Sequence, residues 1–214
     1  DVYKRQGQYF EWTLAHTNPD TRGNRRYFTI ASSPTEKDVR IGIRTTDVNP
    51  SSFKKALVAM EEGEVVVAGS RSGDFVLPTD TTQKLVFISG GIGVTPFRSM
   101  IVYMLDTGEH RDIVHFYSNK TYGDIAYADI FARAKEVGVK TVYTLTDTQT
   151  LPPEWKGEAG FVDIAMIQKY VTDLPERIFY ISGPRSMVVI FEKTLAGAGV
   201  KKSNIKTDFF PGFA

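Results

Sequence analysis

The sequence predicts a two-part chain, a β-rich first part followed by an α/β part built on a doubly wound, parallel five-stranded sheet. Two observations predict it. Up to about residue 80, short runs of alternating apolar and polar residues are broken by dense turn chemistry. From Gln83 onward, apolar strand-length runs alternate with segments of helical periodicity. Strand–helix alternation implies parallel strands with helices on both faces. The expected domains are residues 1–80 and 81–214, joined through the polar, strand-free stretch Thr79–Gln83.

In the first part, Tyr9–Leu14 is a strand candidate, and Asn18-Pro19-Asp20-Thr21-Arg22-Gly23-Asn24 is a loop. Arg26–Ala31 is a second strand, stopped by Ser32-Ser33-Pro34. Val39–Arg44 alternates apolar residues with polar ones or Gly, the pattern of a half-buried strand. Ser51 and Ser52 suit the cap of a short helix with Phe53, Ala56, Leu57 and Met60 on one face. Gly63 is expected to end it. Val65–Ala68 reads as a strand, and Gly69–Pro78 as a turn-rich connection.

In the second part the strands are Leu85–Ser89, Ile113–Tyr117, Thr141–Leu145, Ile178–Ser182 and Ile205–Phe209. Helices fall at about Pro96–Leu105, Tyr127–Glu136, Val162–Tyr170 and Pro184–Ala198. In the first of these, Phe97, Met100, Ile101, Met104 and Leu105 make the expected buried stripe.

Composition excludes several classes. The net charge of +1 gives no field for nucleic acid or an anionic membrane surface, and no apolar run nears the roughly 20 residues of a membrane helix. The absence of cysteine removes disulfides and a cysteine-held zinc or iron–sulfur cluster. It fits a reducing compartment, so the expected location is cytoplasmic. His16, His110 and His115 are scattered, and no metal site is expected. There is no initiator Met. Asp1–Gln6 reads as a foreign tail, and Gly7-Gln8-Tyr9-Phe10 starts as if mid-domain, so the chain is expected to be a fragment with residues 1–14 poorly held.

Two loops carry chemistry. Gly90-Gly91-Ile92-Gly93-Val94-Thr95-Pro96 follows the first strand of the second part. Its glycines permit positive φ and close backbone approach. Thr95 suits a cap and Pro96 a first helical turn, and a helix N-terminus there offers N–H groups to a phosphate. Ser182-Gly183-Pro184-Arg185-Ser186-Met187 follows the fourth strand. Each loop alone equally suits a ligand-free strand-to-helix turn. With strand order 3-2-1-4-5 both open onto one crevice, the usual dinucleotide position in such a sheet.

These residues resemble the ferredoxin–NADP reductase family. Arg26-Tyr27-Phe28-Thr29 is similar to its flavin motif, Arg-x-Tyr-Ser. Gly91-Ile92-Gly93-Val94-Thr95-Pro96 is similar to its pyrophosphate motif, Gly-x-Gly-x-Thr-Pro, and Ser182-Gly183-Pro184 to its Cys-Gly-Pro segment. The resemblance implies an antiparallel Greek-key barrel that binds FAD, here lacking its first strands, followed by the NAD(P)H-binding domain. It implies Arg26 on the flavin pyrophosphate, Phe28 against the isoalloxazine, Thr29 near flavin N5, and Ser51 and Ser52 at the flavin phosphate. It also implies Gly91, Gly93, Thr95, Pro96, Gly183, Pro184 and Met187 around the nucleotide. Asp208 and Phe210 match the family's acidic-aromatic ending, so Thr29, Ser182 and Asp208 are the catalytic candidates. Phe28 stands for Tyr and Ser182 for Cys. Ser118 and Lys120 lie where the adenosine ribose is expected, and a cation there favours NADPH, although Asp124 is close. The implied activity is hydride transfer between NAD(P)H and FAD, with single electrons passed to a separate protein or an upstream domain. The alternatives are a flavin- and nucleotide-binding regulatory or electron-transfer subunit without its own turnover, and a nucleotide domain without flavin.

Overall fold

A computed structural model describes residues 5–45 and 50–210, except the side chain of Phe210. The expectations for Asp1–Lys4 and for Pro211–Ala214 therefore lie outside the described residues.

The first sheet holds β1 (Tyr9–Thr13), β2 (Arg25–Thr29) and β3 (Val67–Ser72), antiparallel, in the order β2-β1-β3. β1 is thus the central strand, bonded on both edges, which corrects the expectation that residues up to Leu14 are poorly held. Register pairs Phe10 with Phe28 and Trp12 with Arg26, while Tyr9 meets Thr29 and Glu11 meets Tyr27. Because side chains alternate across a strand, Phe10, Trp12, Arg26 and Phe28 share one face. That face packs on α1 (Ser52–Val58) through the buried Phe53. On the other face Tyr27 is 55% exposed, and β3 is exposed along most of its length. The sheet stays open and is not a closed barrel among the described residues.

Three local readings are corrected. Val39–Arg44 makes one bridge among the described residues, Ile30 to Ile41. Beyond it the chain leaves the ladder to pack on the second unit: a Cβ on Gly42 would lie 2.6 Å from both Thr95 Cγ2 and the Tyr127 hydroxyl. α1 ends at Val58, before Gly63. β3 runs through Gly69–Ser72, where turn residues are held in the ladder by β1 across a bulge.

The second sheet is parallel throughout. β4 (Leu85–Gly90), β5 (Ile113–Asn119), β6 (Val139–Leu145), β7 (Glu158–Ala159), β8 (Ile178–Pro184) and β9 (Ile205–Phe210) lie in the order β7-β6-β5-β4-β8-β9. The five expected strands take the order 3-2-1-4-5, and the two-residue β7 adds a sixth at the β6 edge. α2 (Thr95–Thr107) and α3 (Ala128–Arg133) cover one face, α4 (Ile164–Tyr170) and α5 (Arg185–Gly197) the other. Along β4, Leu85 and Phe87 enter the first core layer and Val86 and Ile88 the second, which is why the strand reads as an unbroken apolar run. α2 is buried beyond its expected stripe. Arg98 and Ser99 are buried too, because the first unit covers them. Opposite the loop ends, Arg177 forks onto Asp112 at 2.9 and 3.1 Å and binds Asp173 at 2.6 Å.

Candidate functional site

The carboxyl ends of β4 and β8 are adjacent, with Ser89 beside Ser182. Both lead directly into helices, so the two glycine loops face each other across one cleft of about 590 Å³. The predicted Gly91, Gly93, Ser118, Lys120, Gly183, Pro184 and Met187 all line it. The glycines act differently. Gly91 takes φ +53° with open space around it, so its requirement is conformational. Gly93 lies under β8: a Cβ there would sit 2.5 Å from the Ser182 carbonyl oxygen and 2.7 Å from Gly183 Cα. Gly93 therefore lets the two loops touch. Thr95 is not the cap. Gly91–Val94 already form a tight turn, Val94 holds the cap position, and Thr95 is the first helical residue, buried with Pro96 behind the cleft.

Several lining residues had no distinguishing sequence signal. Arg44 arrives from the first unit and pairs with Asp124 at 3.4 Å, roofing part of the cleft. Burial raises the Asp124 carboxyl, but Thr121 hydrogen bonds and the Arg44 and Lys120 charges outweigh it and hold the group below its ordinary value. Phe161, 79% exposed, and Ile190 offer apolar surface to the same space. Asn119 lies buried between Ser118 and Lys120, its carboxamide without a hydrogen-bond partner among the described residues.

The three catalytic candidates come from distant parts of the chain and fall close together, outside the lining of the cleft but next to its Gly183. Ser182 and Asp208 are register neighbours on β8 and β9. The Thr29 hydroxyl, at the end of β2, donates to Asp208 Oδ2 at 3.1 Å. Burial pushes the Asp208 carboxyl up to about 6, against the lowering effect of that hydrogen bond. The Ser182 hydroxyl is buried with no partner among the described residues. An unsatisfied buried hydroxyl beside a glycine-lined cleft fits a polar ligand group arriving there. Phe210 pairs with Pro184 through the backbone, and its side chain lies outside the described residues.

The remaining predicted residues form a second cluster. Phe28 packs on Phe53, and the Arg26 guanidinium lies over the same ring at 5.3 Å. Tyr27 points away and donates to Glu11. Arg26 binds Asp20 at 2.9 Å and also donates to the carbonyls of Arg22, Gly23 and Arg25. Asp20 also accepts the backbone N–H groups of Arg22 and Ser52. Burial opposes its charge, yet these bonds and Arg26 lower its carboxyl to about 2. The Ser51 hydroxyl caps α1 by accepting from Lys54, and the Ser52 hydroxyl accepts from the Asp20 N–H and bonds His16. The anion that this cluster holds is the Asp20 carboxylate.

Residues 87–193 match the family model described as the oxidoreductase NAD-binding domain. The chain belongs to that family. Outside the NAD-binding domain the likeness continues. The chain is 27% identical over 200 residues to a Na(+)-translocating NADH-quinone reductase subunit of Marinomonas sp., covering 87% of this chain and 49% of that protein. It is 27% identical over 214 residues to a flavohemoprotein of Bacillus cereus, covering 95% and 52%. It thus spans about half the length of these curated relatives. Among solved structures, it resembles the FAD/NAD binding domain of nitric oxide dioxygenase from Vibrio cholerae with TM-score 0.83, 19% identity, and coverage of 98% of this chain and 86% of that one. For ferredoxin-NADP+ reductase from Plasmodium falciparum the TM-score is 0.75 at 14% identity, with coverage of 98% and 85%. The fold is the two-domain fold of the ferredoxin–NADP reductases, with its barrel incomplete. No helix among the described residues is long and apolar enough to cross a membrane.

Proposed function

We propose that the chain is the reductase part of a flavoenzyme that passes electrons from NAD(P)H through FAD to a separate acceptor. The observation that carries this reading is the meeting of Thr29, Ser182 and Asp208 beside the glycine-lined cleft. When bound, the two cofactors would supply the chemistry, the nicotinamide as hydride donor and the flavin as the carrier that divides the pair into single electrons.

The residues bind, orient and move a proton. Gly90–Gly93 and Gly183 let the backbone approach the dinucleotide pyrophosphate. Arg44 and Lys120 bring positive charge to the same cleft. Lys120, exposed at its adenosine end, favours a 2′-phosphate and so NADPH. Ser182 offers its unpaired hydroxyl to the nicotinamide. Thr29 would offer its hydroxyl to the flavin. Its one proton goes to Asp208 while that carboxylate is charged. Burial, which pushes the Asp208 carboxyl up to about 6, lets Asp208 carry a proton of its own below that pH and donate to Thr29 instead, freeing the Thr29 proton. On the flavin side, Arg26, Ser51, Ser52 and Phe28 would be the binding residues, and a flavin phosphate would have to compete with the Asp20 carboxylate for Arg26 and the Ser52 N–H. Domains 1–80 and 81–214 divide these duties.

The acceptor is another protein or a domain outside residues 1–214, in the cytoplasm or at the cytoplasmic face of a membrane. Relatives about twice as long, named as a quinone reductase subunit and flavohemoproteins, support a fused or associated partner. The test is anaerobic addition of NADH or NADPH to the flavin-loaded protein with an artificial one-electron dye. Bleached flavin and reduced dye are expected. A flavin that stays oxidised under saturating nucleotide would leave only a binding module.

A further inference from the structure

We infer that Arg98 is a positioning residue that sets where the Thr29 hydroxyl sits. The inference rests on the flavin–nucleotide reading above. Arg98 lies in the first turn of α2, outside the lining of the nucleotide cleft, and it is 6% exposed. Its Nη1 donates to the Ala31 carbonyl at 2.7 Å and to Glu36 Oε2 at 2.7 Å, and its Nη2 donates to Glu36 Oε1 at 2.9 Å. The guanidinium plane lies over the Tyr127 ring at 5.3 Å. The next residue, Ser99, donates its hydroxyl to the Ser32 carbonyl at 2.7 Å. Two adjacent α2 side chains therefore grip the two main-chain carbonyls that begin two residues after Thr29.

That grip matters because the β2 ladder ends at Thr29. Beyond it the sheet supplies the Ile30–Ile41 bridge, and the Gln8 carbonyl takes the Ile30 N–H at 2.8 Å. Thr29 belongs to the first unit and Asp208 to the second, so their 3.1 Å contact spans the junction of the two. α2 packs within the second unit's core. Arg98 and Ser99 thereby reference the end of β2 to the sheet that carries Ser182 and Asp208. Only a planar fork bonds a carboxylate through two nitrogens while one of them also reaches a carbonyl. Glu36 completes the arrangement by accepting the Ser33 N–H at 2.7 Å, closing the Ser33–Glu36 turn under the guanidinium.

The experiment is stopped-flow flavin reduction in the flavin-loaded protein across a range of NAD(P)H concentrations, for Arg98→Met, Arg98→Lys and Glu36→Gln. The limiting reduction rate is expected to fall roughly 3- to 10-fold in Arg98→Met, the upper end being the loss of about tenfold expected when the Thr29 hydroxyl is removed altogether. Flavin content and the half-saturating nucleotide concentration are expected to hold within about twofold, since a displaced Thr29 leaves the cleft alone. Arg98→Lys, with charge but no fork, is expected between the two. If Arg98→Met does not fold, Glu36→Gln carries the test, with a smaller fall in the same limiting rate. A lowered melting temperature with an unchanged limiting rate would overturn the inference, leaving Arg98 a stabilising clamp. A change confined to nucleotide affinity would overturn it as well. An unsubstituted protein that NAD(P)H does not bleach overturns the functional reading first, and this inference with it.

Discussion

Replacing Thr29 by Val removes one hydroxyl and little else. The shape is nearly preserved and the residue is buried, so the β2 backbone has no reason to move. What is lost is the 3.1 Å hydrogen bond to Asp208. A bond to a charged group contributes about 1.5–3 kcal/mol, and 3.1 Å is long for a hydroxyl on a carboxylate, so the lower end applies. A carboxylate deprived of a donor holds its proton more tightly. Asp208, already pushed up to about 6 by burial, should therefore titrate higher in Thr29→Val, by about one pH unit for ~1.4 kcal/mol. The flavin-reduction rate should fall as well: with Asp208 protonated and donating to Thr29, the Thr29 proton is free to meet the hydrogen-bonding demand that grows at the flavin during reduction, and a donor aimed there acts mainly in the transition state. Removing a well-aimed oxyanion-hole donor costs about 2.7–4 kcal/mol. Cofactor alignment supplies much of the rate here, so a loss of about tenfold is expected. Stopped-flow bleaching at saturating NAD(P)H, repeated from pH 5 to 8, reads both effects. An unchanged rate together with an unmoved or lower midpoint, with flavin fully bound, would show that Thr29 serves only as a strand residue.

Gly93→Ala should weaken nucleotide binding more than tenfold by titration calorimetry, since its Cβ collides with the Ser182 carbonyl. Gly91→Ala meets no atoms and should cost only the roughly 1–2 kcal/mol of a left-handed backbone. Lys120→Ala should raise the half-saturating concentration for NADPH more than for NADH, and equal changes would remove it from nucleotide choice. Asp20→Asn should tighten FAD binding, read by flavin fluorescence, because a neutral amide competes less well for Arg26 and the Ser52 N–H; unchanged or weaker binding would place the flavin phosphates elsewhere. Burial lowers His115 to about 3 while its unfolded value stays near 6.5, so stability is full above that pH and declines below it by about 1.4 kcal/mol per pH unit. His115→Phe should flatten this acid limb in urea unfolding, and an unaltered slope would show that another group drives it.

The second domain was legible in the sequence because its signals are local. Each buried strand is a continuous apolar run, each helix has one apolar stripe, and a βα order constrains the sheet to few topologies. The convergence of Gly91, Gly93 and Gly183 followed from strand order alone. The first sheet was less legible. Alternation in Val39–Arg44 gives a face but no partner, and most of that segment finds none. Gly69–Ser72 has turn composition yet pairs with β1. The two residues of β7 are too short for any periodicity. Long-range polar pairs left no trace either: Arg44 with Asp124 and Arg98 with Glu36 are brought together only by folding. The candidates Thr29, Ser182 and Asp208 were suggested by resemblance, while their placement, including a Ser182 hydroxyl without a partner among the described residues, came only from the fold.

The most direct test of the account is anaerobic flavin bleaching by nicotinamide nucleotide carrying deuterium at the transferred position of C4. Direct hydride transfer into a flavin held between Thr29 and the cleft predicts that the limiting rate falls severalfold with the deuterated nucleotide and that the label leaves the nicotinamide. Bleaching at the same limiting rate with both isotopes would mean that transfer does not limit reduction. Retention of the label on the nicotinamide after complete bleaching would contradict hydride transfer at this site.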